Sequence, residues 1–139
     1  METAEVTKKA KSSGFVRPNF KPHYNHYIGG QWVAPASGEY FDNTSPIDGK
    51  AFTRAARGTK DDIEKALDAA HKAFPAWSKY SPAYRSNVLL KIAQVIEDNL
   101  EYLAQVETID NGKAIRETRA ADLPLVIDHF RYFAGIIRG

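Results

Sequence analysis

The stretch "TKDDIEKALDAAHKAFPAW", residues 59–77, is where the hydrophobic period of the chain changes. Ile63, Ala66, Leu67, Ala70, Phe74 and Trp77 fall at i, i+3, i+4, i+7, i+11 and i+14, which is one apolar stripe along a helix. Thr59 and Asp62 match a capping box, with Asp in place of the usual Glu or Gln. Asp61 and Asp62 also complement the positive end of the helix dipole. Pro75 lacks an N–H and clashes with the preceding turn, so the helix is expected to stop near Phe74.

Upstream, the apolar residues come in short β-prone pieces. "YIGGQWV" (27–33) is a hairpin pattern, with Gly29-Gly30 supplying the positive φ of a tight turn. Its spacing matches neither GxGxxG nor GxxxxGK[ST], so it is read as a turn and not as a phosphate cradle. "EYFDNTSP" (39–46) and "AFTRAARG" (51–58) read as two further strands, joined by the turn chemistry of "SPIDGK". Residues 1–22, polar around Lys8, Lys9, Lys11, Ser12, Ser13 and Gly14, are expected to be a flexible arm.

Downstream, Ser81 is an N-cap and Pro82 suits the first helical position. Val88, Leu89, Ile92, Val95, Ile96, Leu100, Leu103 and Val106 form a continuous apolar face, uninterrupted by proline or glycine before Gly112. Gly112 fits the left-handed position just past a helix end. "KAIRETRAAD" (113–122) predicts a short helix. Asp122 is expected to cap the last one, with Pro124 in its first turn and Val126, Ile127, Phe130, Phe133, Ala134 and Ile137 on its buried face.

The fold class is therefore α+β: hairpins over 24–58, then three or four helices over 60–138. No internal repeat and no βαβ series is present. The short hairpins have little with which to cover three apolar helical faces, so a further layer is expected against them.

The 139 residues are 43% hydrophobic and 26% charged, which suits a soluble globular domain with its own core. A net charge of +2 is too balanced to argue for nucleic acid or an anionic membrane, and neither is expected as a partner. No apolar run approaches the roughly 18–20 residues that span a bilayer. The first twenty residues carry no apolar signal core, so a cytoplasmic setting is expected. The absence of cysteine excludes disulfides, cysteine-ligated zinc and a thiolate nucleophile.

Candidate chemistry is sparse. His23, His26, His71 and His129 would have to converge from separate segments to hold a metal. They read as loop residues (His23, His26) and helix-face residues (His71, His129). Asp61, Asp62, Glu64, Glu97, Asp98 and Glu101 are read as a solvated polar face. The serines lack a GxSxG elbow. Asp110, in "VETIDNGKAIRE" (106–117), differs. It sits at an expected helix C-terminus, where a carboxylate opposes the dipole and orphan carbonyls gather. Such a carboxylate suits a bound cation, a positive side chain such as Lys113, or local turn hydrogen bonds.

"YIGGQWV", "NTSPIDGK", the helix from Thr59, "RSNVLLKIAQVIEDNLEYLAQVETIDNGKAIRET" and "DHFRYFAG" occur in that order. Over residues 24–139 the set resembles the N-terminal portion of the aldehyde dehydrogenase superfamily, and within it the bacterial branch acting on short aliphatic aldehydes such as acetaldehyde. The resemblance implies an NAD- or NADP-dependent oxidation of aldehyde to carboxylate through a cysteine thiohemiacetal. It also implies an aldehyde substrate and a homo-oligomer for the complete enzyme. Residues 23–139 would be an incomplete N-terminal part of the cofactor-binding domain, within an α/β fold whose parallel cofactor-binding sheet comes mostly from later sequence.

No catalytic or cofactor-contacting residue carries over to this chain. It is expected to be inactive alone and to bind no dinucleotide tightly. By the same resemblance Asp110 would be a side-chain ligand, and Thr44 a backbone-carbonyl ligand, of a structural monovalent cation. A helical binding module that docks onto an intact dehydrogenase subunit or a complementary fragment is the alternative reading.

Overall fold

The computed structural model describes residues 15–138. Strand β1 (His23–Tyr24), β2 (His26–Ile28), β3 (Gln31–Val33), β4 (Tyr40–Thr44) and β5 (Ala51–Ala56) precede the helices α1 (Lys60–Trp77), α2 (Pro82–Asp98) and α3 (Leu100–Asn111). A single turn α4 (Ile115–Glu117) then leads through a π-helical turn at Thr118–Asp122 into α5 (Leu123–Ile136). The α+β order of strands and then helices is the one the periodicity indicates.

β2 and β3 pair antiparallel around Gly29 and Gly30, whose φ of 59° and 83° are the two positive angles that a tight hairpin turn demands. β4 and β5 form the second hairpin, with a register shift at Asn43–Thr44. β1 adds parallel to the outer side of β5, through His23–Arg54 and Tyr24–Ala55, and completes a three-stranded sheet. His23 and His26 thus lie in strands and not in loops. The arm expected over 1–22 lies, for its first fourteen residues, outside the described ones. Phe20 meets Phe52 at 4.7 Å with the rings tilted by 58°, and Thr53 Oγ1 donates to the Lys21 carbonyl at 2.8 Å.

Three helix boundaries differ from the sequence reading. α1 continues through Pro75 to Trp77. Pro75 falls in the last turn, and Ser78 N–H still reaches the Phe74 carbonyl at 2.8 Å, so the ladder closes around the missing donor. The long helix from Pro82 breaks at Asn99 (φ −111°, ψ 14°). There the Asn99 side-chain amide donates to the Val95 carbonyl at 2.8 Å, while its own N–H turns to Ile96. A side chain competing for the helical acceptor is why asparagine unwinds helix interiors. Asp122 does not cap the last helix, because it is itself helical (φ −65°, ψ −54°). The Leu123 N–H reaches back five residues to the Thr118 carbonyl, and this widened turn lets Pro124 follow without a donor.

The core is small and lies between α2, α3 and α5. Ala93, Ala104, Ile109, Leu123, Ile127 and Ala134 are buried. Ala93 on α2 and Ala134 on α5 are nearly fully enclosed, and small side chains on both helices allow close approach. Ser86 Oγ donates to the Ala134 carbonyl across that contact at 2.7 Å. The α1 stripe faces outward: Ile63, Leu67 and Phe74 are 58%, 47% and 64% exposed. Val126 and Phe133 of α5, expected inside, are exposed as well. No helix among the described residues is long and apolar enough to cross a membrane.

Candidate functional site

The C-terminus of α3 meets the β4–β5 hairpin, and both cation-site candidates lie at this junction. Gly112 takes φ 78° at the helix end and returns its N–H to Thr108 at 2.9 Å. A Cβ built at Gly112 would stand 2.8 Å from Pro46 Cγ, so the hairpin turn is pressed against the helix end. Ser45, fully buried, donates its hydroxyl to the Ile109 carbonyl at 2.6 Å and satisfies one orphan acceptor of the last turn.

Asp110 is exposed, and its Oδ1 accepts from the side-chain amide of Asn43 at 2.5 Å. Thr44 is the next residue of that strand. The structure thus brings Asp110 to the strand that carries Thr44. Lys113 does not pair with Asp110. Its ammonium lies 2.7 Å from Asp122 Oδ1, and this hydrogen bond above all raises the lysine above its ordinary value. The local turn bond belongs to Asn111, whose Oδ1 accepts the Lys113 N–H at 2.8 Å. Sequence reasoning missed Asn43. A partner 67 positions away carries no local signal.

A cavity of about 310 Å³ opens beside Asp110, between the sheet and α3. Phe20, Phe52, Tyr102, Leu103 and Val106 make its walls apolar. Asn43 and Asp110 are polar groups on its lining.

Asp62, read from sequence as part of a solvated face, is instead 2% exposed. It accepts the Thr59 N–H and hydroxyl, each at 2.9 Å, and the Ala36 N–H at 2.9 Å. The Thr59 amide bond is the largest cause holding its carboxyl below the usual range, against the opposing effect of burial. His26 Nε2 is 3.9 Å away. Glu101 stays on the part-exposed polar face but is engaged there: Arg119 grips it with Nε at 2.7 Å and Nη2 at 2.6 Å, which lowers the carboxyl and raises the guanidinium.

Among the described residues no group of three His, Cys, Asp or Glu side chains converges for a metal. The glycines do not cradle a phosphate either. Gly29, Gly30 and Gly49 form hairpin turns, and Gly112 ends a helix at its negative pole, where carbonyls rather than amides face outward. The described residues thus show no phosphate-cradling turn at these four glycines. Their hard oxygen donors at Asp110 and Thr44 do suit an alkali or other hard cation in kind.

Comparison with known proteins follows the same outline. The pattern described as the aldehyde dehydrogenase family matches residues 32–139. An aldehyde dehydrogenase of Deinococcus radiodurans is 66% identical over 119 residues, which are 86% of this chain and 23% of that protein. Acetaldehyde dehydrogenase 2 of Cupriavidus necator is 54% identical over 138 residues, 99% of this chain and 26% of that protein. The crystal structure of PnpE from Pseudomonas sp. WBC-3 is 41% identical with a TM-score of 0.80, and covers 82% of this chain and 23% of that one. PnpE is also solved in complex with nicotinamide adenine dinucleotide. The chain spans about a quarter of the length of the curated relatives it matches.

Proposed function

The chain belongs to the aldehyde dehydrogenase family, and from that premise we propose that it serves as the N-terminal structural part of an NAD(P)-dependent enzyme oxidising short aliphatic aldehydes such as acetaldehyde. The observation that carries this reading is the 54% identity to an acetaldehyde dehydrogenase across 99% of the chain. In such an enzyme a nicotinamide cofactor would supply the hydride-acceptor chemistry. The residues described here contribute scaffold to that reaction. No cysteine is present to attack a carbonyl, and the turns at Gly29, Gly30, Gly49 and Gly112 do not cradle a phosphate. The exposed stripe of α1 and the outer face of α5 supply apolar surface for the remaining layers of the fold.

The test is complementation. Purified chain with acetaldehyde and NAD is expected to yield no NADH above blank. Addition of a polypeptide carrying the remaining family segments is expected to restore turnover. Turnover by the chain alone overturns the scaffold reading. The alternative, docking onto an intact dehydrogenase subunit, predicts co-elution with that subunit on size exclusion.

Within this reading Asp110 and the Thr44 carbonyl hold a structural monovalent cation. Support comes from the Asn43–Asp110 bond, which fixes the carboxylate beside the Thr44 strand. Two donors do not complete a coordination shell, so the other ligands come from outside these residues. Replacing potassium by choline is expected to lower the thermal midpoint of the complemented enzyme and to leave the Asp110→Asn variant unmoved. An equal response in both would remove Asp110 as a ligand.

A further inference from the structure

No acidic residue occurs between Asp68 and Glu97, whereas Lys72, Lys79, Arg85 and Lys91 do. Among the described residues these four cations form no ion pair, in contrast to the arginines of the sheet, α4 and α5 that pair with carboxylates. The turn joining α1 to α2 lies in the middle of this run and is aromatic. Trp77 meets Tyr80 edge-on at 6.1 Å, and Tyr80 stacks on Tyr84 at 4.3 Å and 26°. The stack stands on a capped helix start, where the Tyr84 N–H donates to Ser81 Oγ at 3.1 Å. Tyr80 and Tyr84 are nevertheless 44% and 48% exposed.

A further cation reaches the first turns of α2 from the end of α5. Arg138, just past α5, donates Nε to Ser86 Oγ at 2.7 Å and Nη2 to Asn87 Oδ1 at 2.5 Å. Its guanidinium is thereby held on α2 immediately after Arg85. Lys79 adjoins Tyr80 and Arg85, half-buried with its Nε enclosed, adjoins Tyr84, while Arg138 is held on Asn87, one turn along α2 from Tyr84; the sequence from 69 to 96 adds no carboxylate to them.

We propose that this surface binds single-stranded nucleic acid. A base extends the Tyr80–Tyr84 stack on its open side, and Lys79, Arg85 and Arg138 neutralise the flanking phosphates. Aromatic stacking with cationic tracking of the backbone is the general mode of sequence-tolerant single-strand binding. The near-neutral charge of the whole chain, which argued against such a partner, averages over this asymmetry. A Debye length of about 8 Å keeps distant carboxylates from cancelling it. A duplex is a poor ligand, because its bases are already stacked on one another.

Fluorescence polarisation with labelled oligo-dT, as a single strand and as a duplex with oligo-dA, tests it on the purified chain. The single strand is expected to bind with a log–log salt slope of about −2, from three neutralised phosphates. Tyr84→Ala is expected to weaken binding at least about fivefold, and Tyr84→Phe, which keeps the ring, to stay within about twofold of the parent. Lys79→Gln is expected to reduce the slope by about 0.7. Three results each overturn the proposal. They are no single-strand binding up to about 100 µM, the weak end of non-specific affinity, duplex binding as tight as single-strand binding, and equal affinities of Tyr84→Ala and the parent chain.

Discussion

The carboxylate of Asp62, in the first turn of α1, accepts the backbone N–H of Ala36 at 2.9 Å while also holding the Thr59 amide. One buried anion therefore ties the loop after β3 to the junction between β5 and the first helix. The local half of this arrangement is a capping interaction, whereas the Ala36 bond crosses 26 positions.

This anion makes stability acid-sensitive in a defined direction. Its folded pKa is depressed from the ordinary 3.8, so its contribution is present above the unfolded value. It is lost as pH falls through the still lower folded value. The stability gap between the parent chain and Asp62→Asn is expected to be constant above about pH 5 and to shrink below about pH 4. Urea unfolding across that range measures it, and a gap independent of pH contradicts the assignment.

Gly112 carries two separate demands, a φ of 78° and 2.8 Å of clearance to Pro46 Cγ. Gly112→Ala is expected to destabilise the fold by more than the roughly 1–2 kcal/mol that left-handed backbone alone costs. Adding Pro46→Ala should recover the steric part and leave the backbone part. Absence of any recovery in denaturant unfolding would mean that the contact carries no strain in solution.

Thr118 and Thr108 share a buried hydroxyl contact of 3.0 Å, and Thr118 also donates to the Ala104 carbonyl at 3.1 Å. Thr118→Val leaves the buried Thr108 hydroxyl without its partner, at about 1–3 kcal/mol, whereas Thr108→Val leaves Thr118 its bond to the Ala104 carbonyl and is expected to cost less. The double replacement is expected to cost less than the sum. Additive losses would show that the two hydroxyls are independent.

Glu101 and Arg119 join α3 to the π-helical turn by a two-pronged bond, but both are part-exposed. A double-mutant cycle with Glu101→Gln and Arg119→Gln is expected to give about 0.5–1 kcal/mol of coupling, weakened by salt. A coupling insensitive to salt would point to packing of the side-chain stems instead.

The helices were legible where the controlling groups lie within one turn of each other. Ser81 caps α2, Gly112 ends α3, and Gly29-Gly30 turns the first hairpin, each as its local chemistry dictates. Pro75 and Asp122 were misread because a backbone bond outweighs a local preference: Ser78 to Phe74 carries α1 past the proline, and Leu123 to Thr118 keeps Asp122 helical. The break at Asn99 was passed over, because the apolar pattern runs on unbroken while the asparagine side chain takes the Val95 carbonyl. At the candidate cation site Asp110 stood out by its position at a helix end. Its partner Asn43 did not, because a strand asparagine has no distinguishing mark.

The order of strands and helices, the two glycine turns, the caps and the lack of any thiol follow from the residues themselves. They depend on backbone geometry and chemistry acting over four or five positions. Only the tertiary structure decided that β1 lies parallel to β5, that Asp62 is buried beneath Ala36, that Asn43 holds Asp110, and that Arg138 rests on α2. Each of these pairs separates widely in sequence, and which partners meet is chosen by the packing of whole elements and not by the local preferences of either residue.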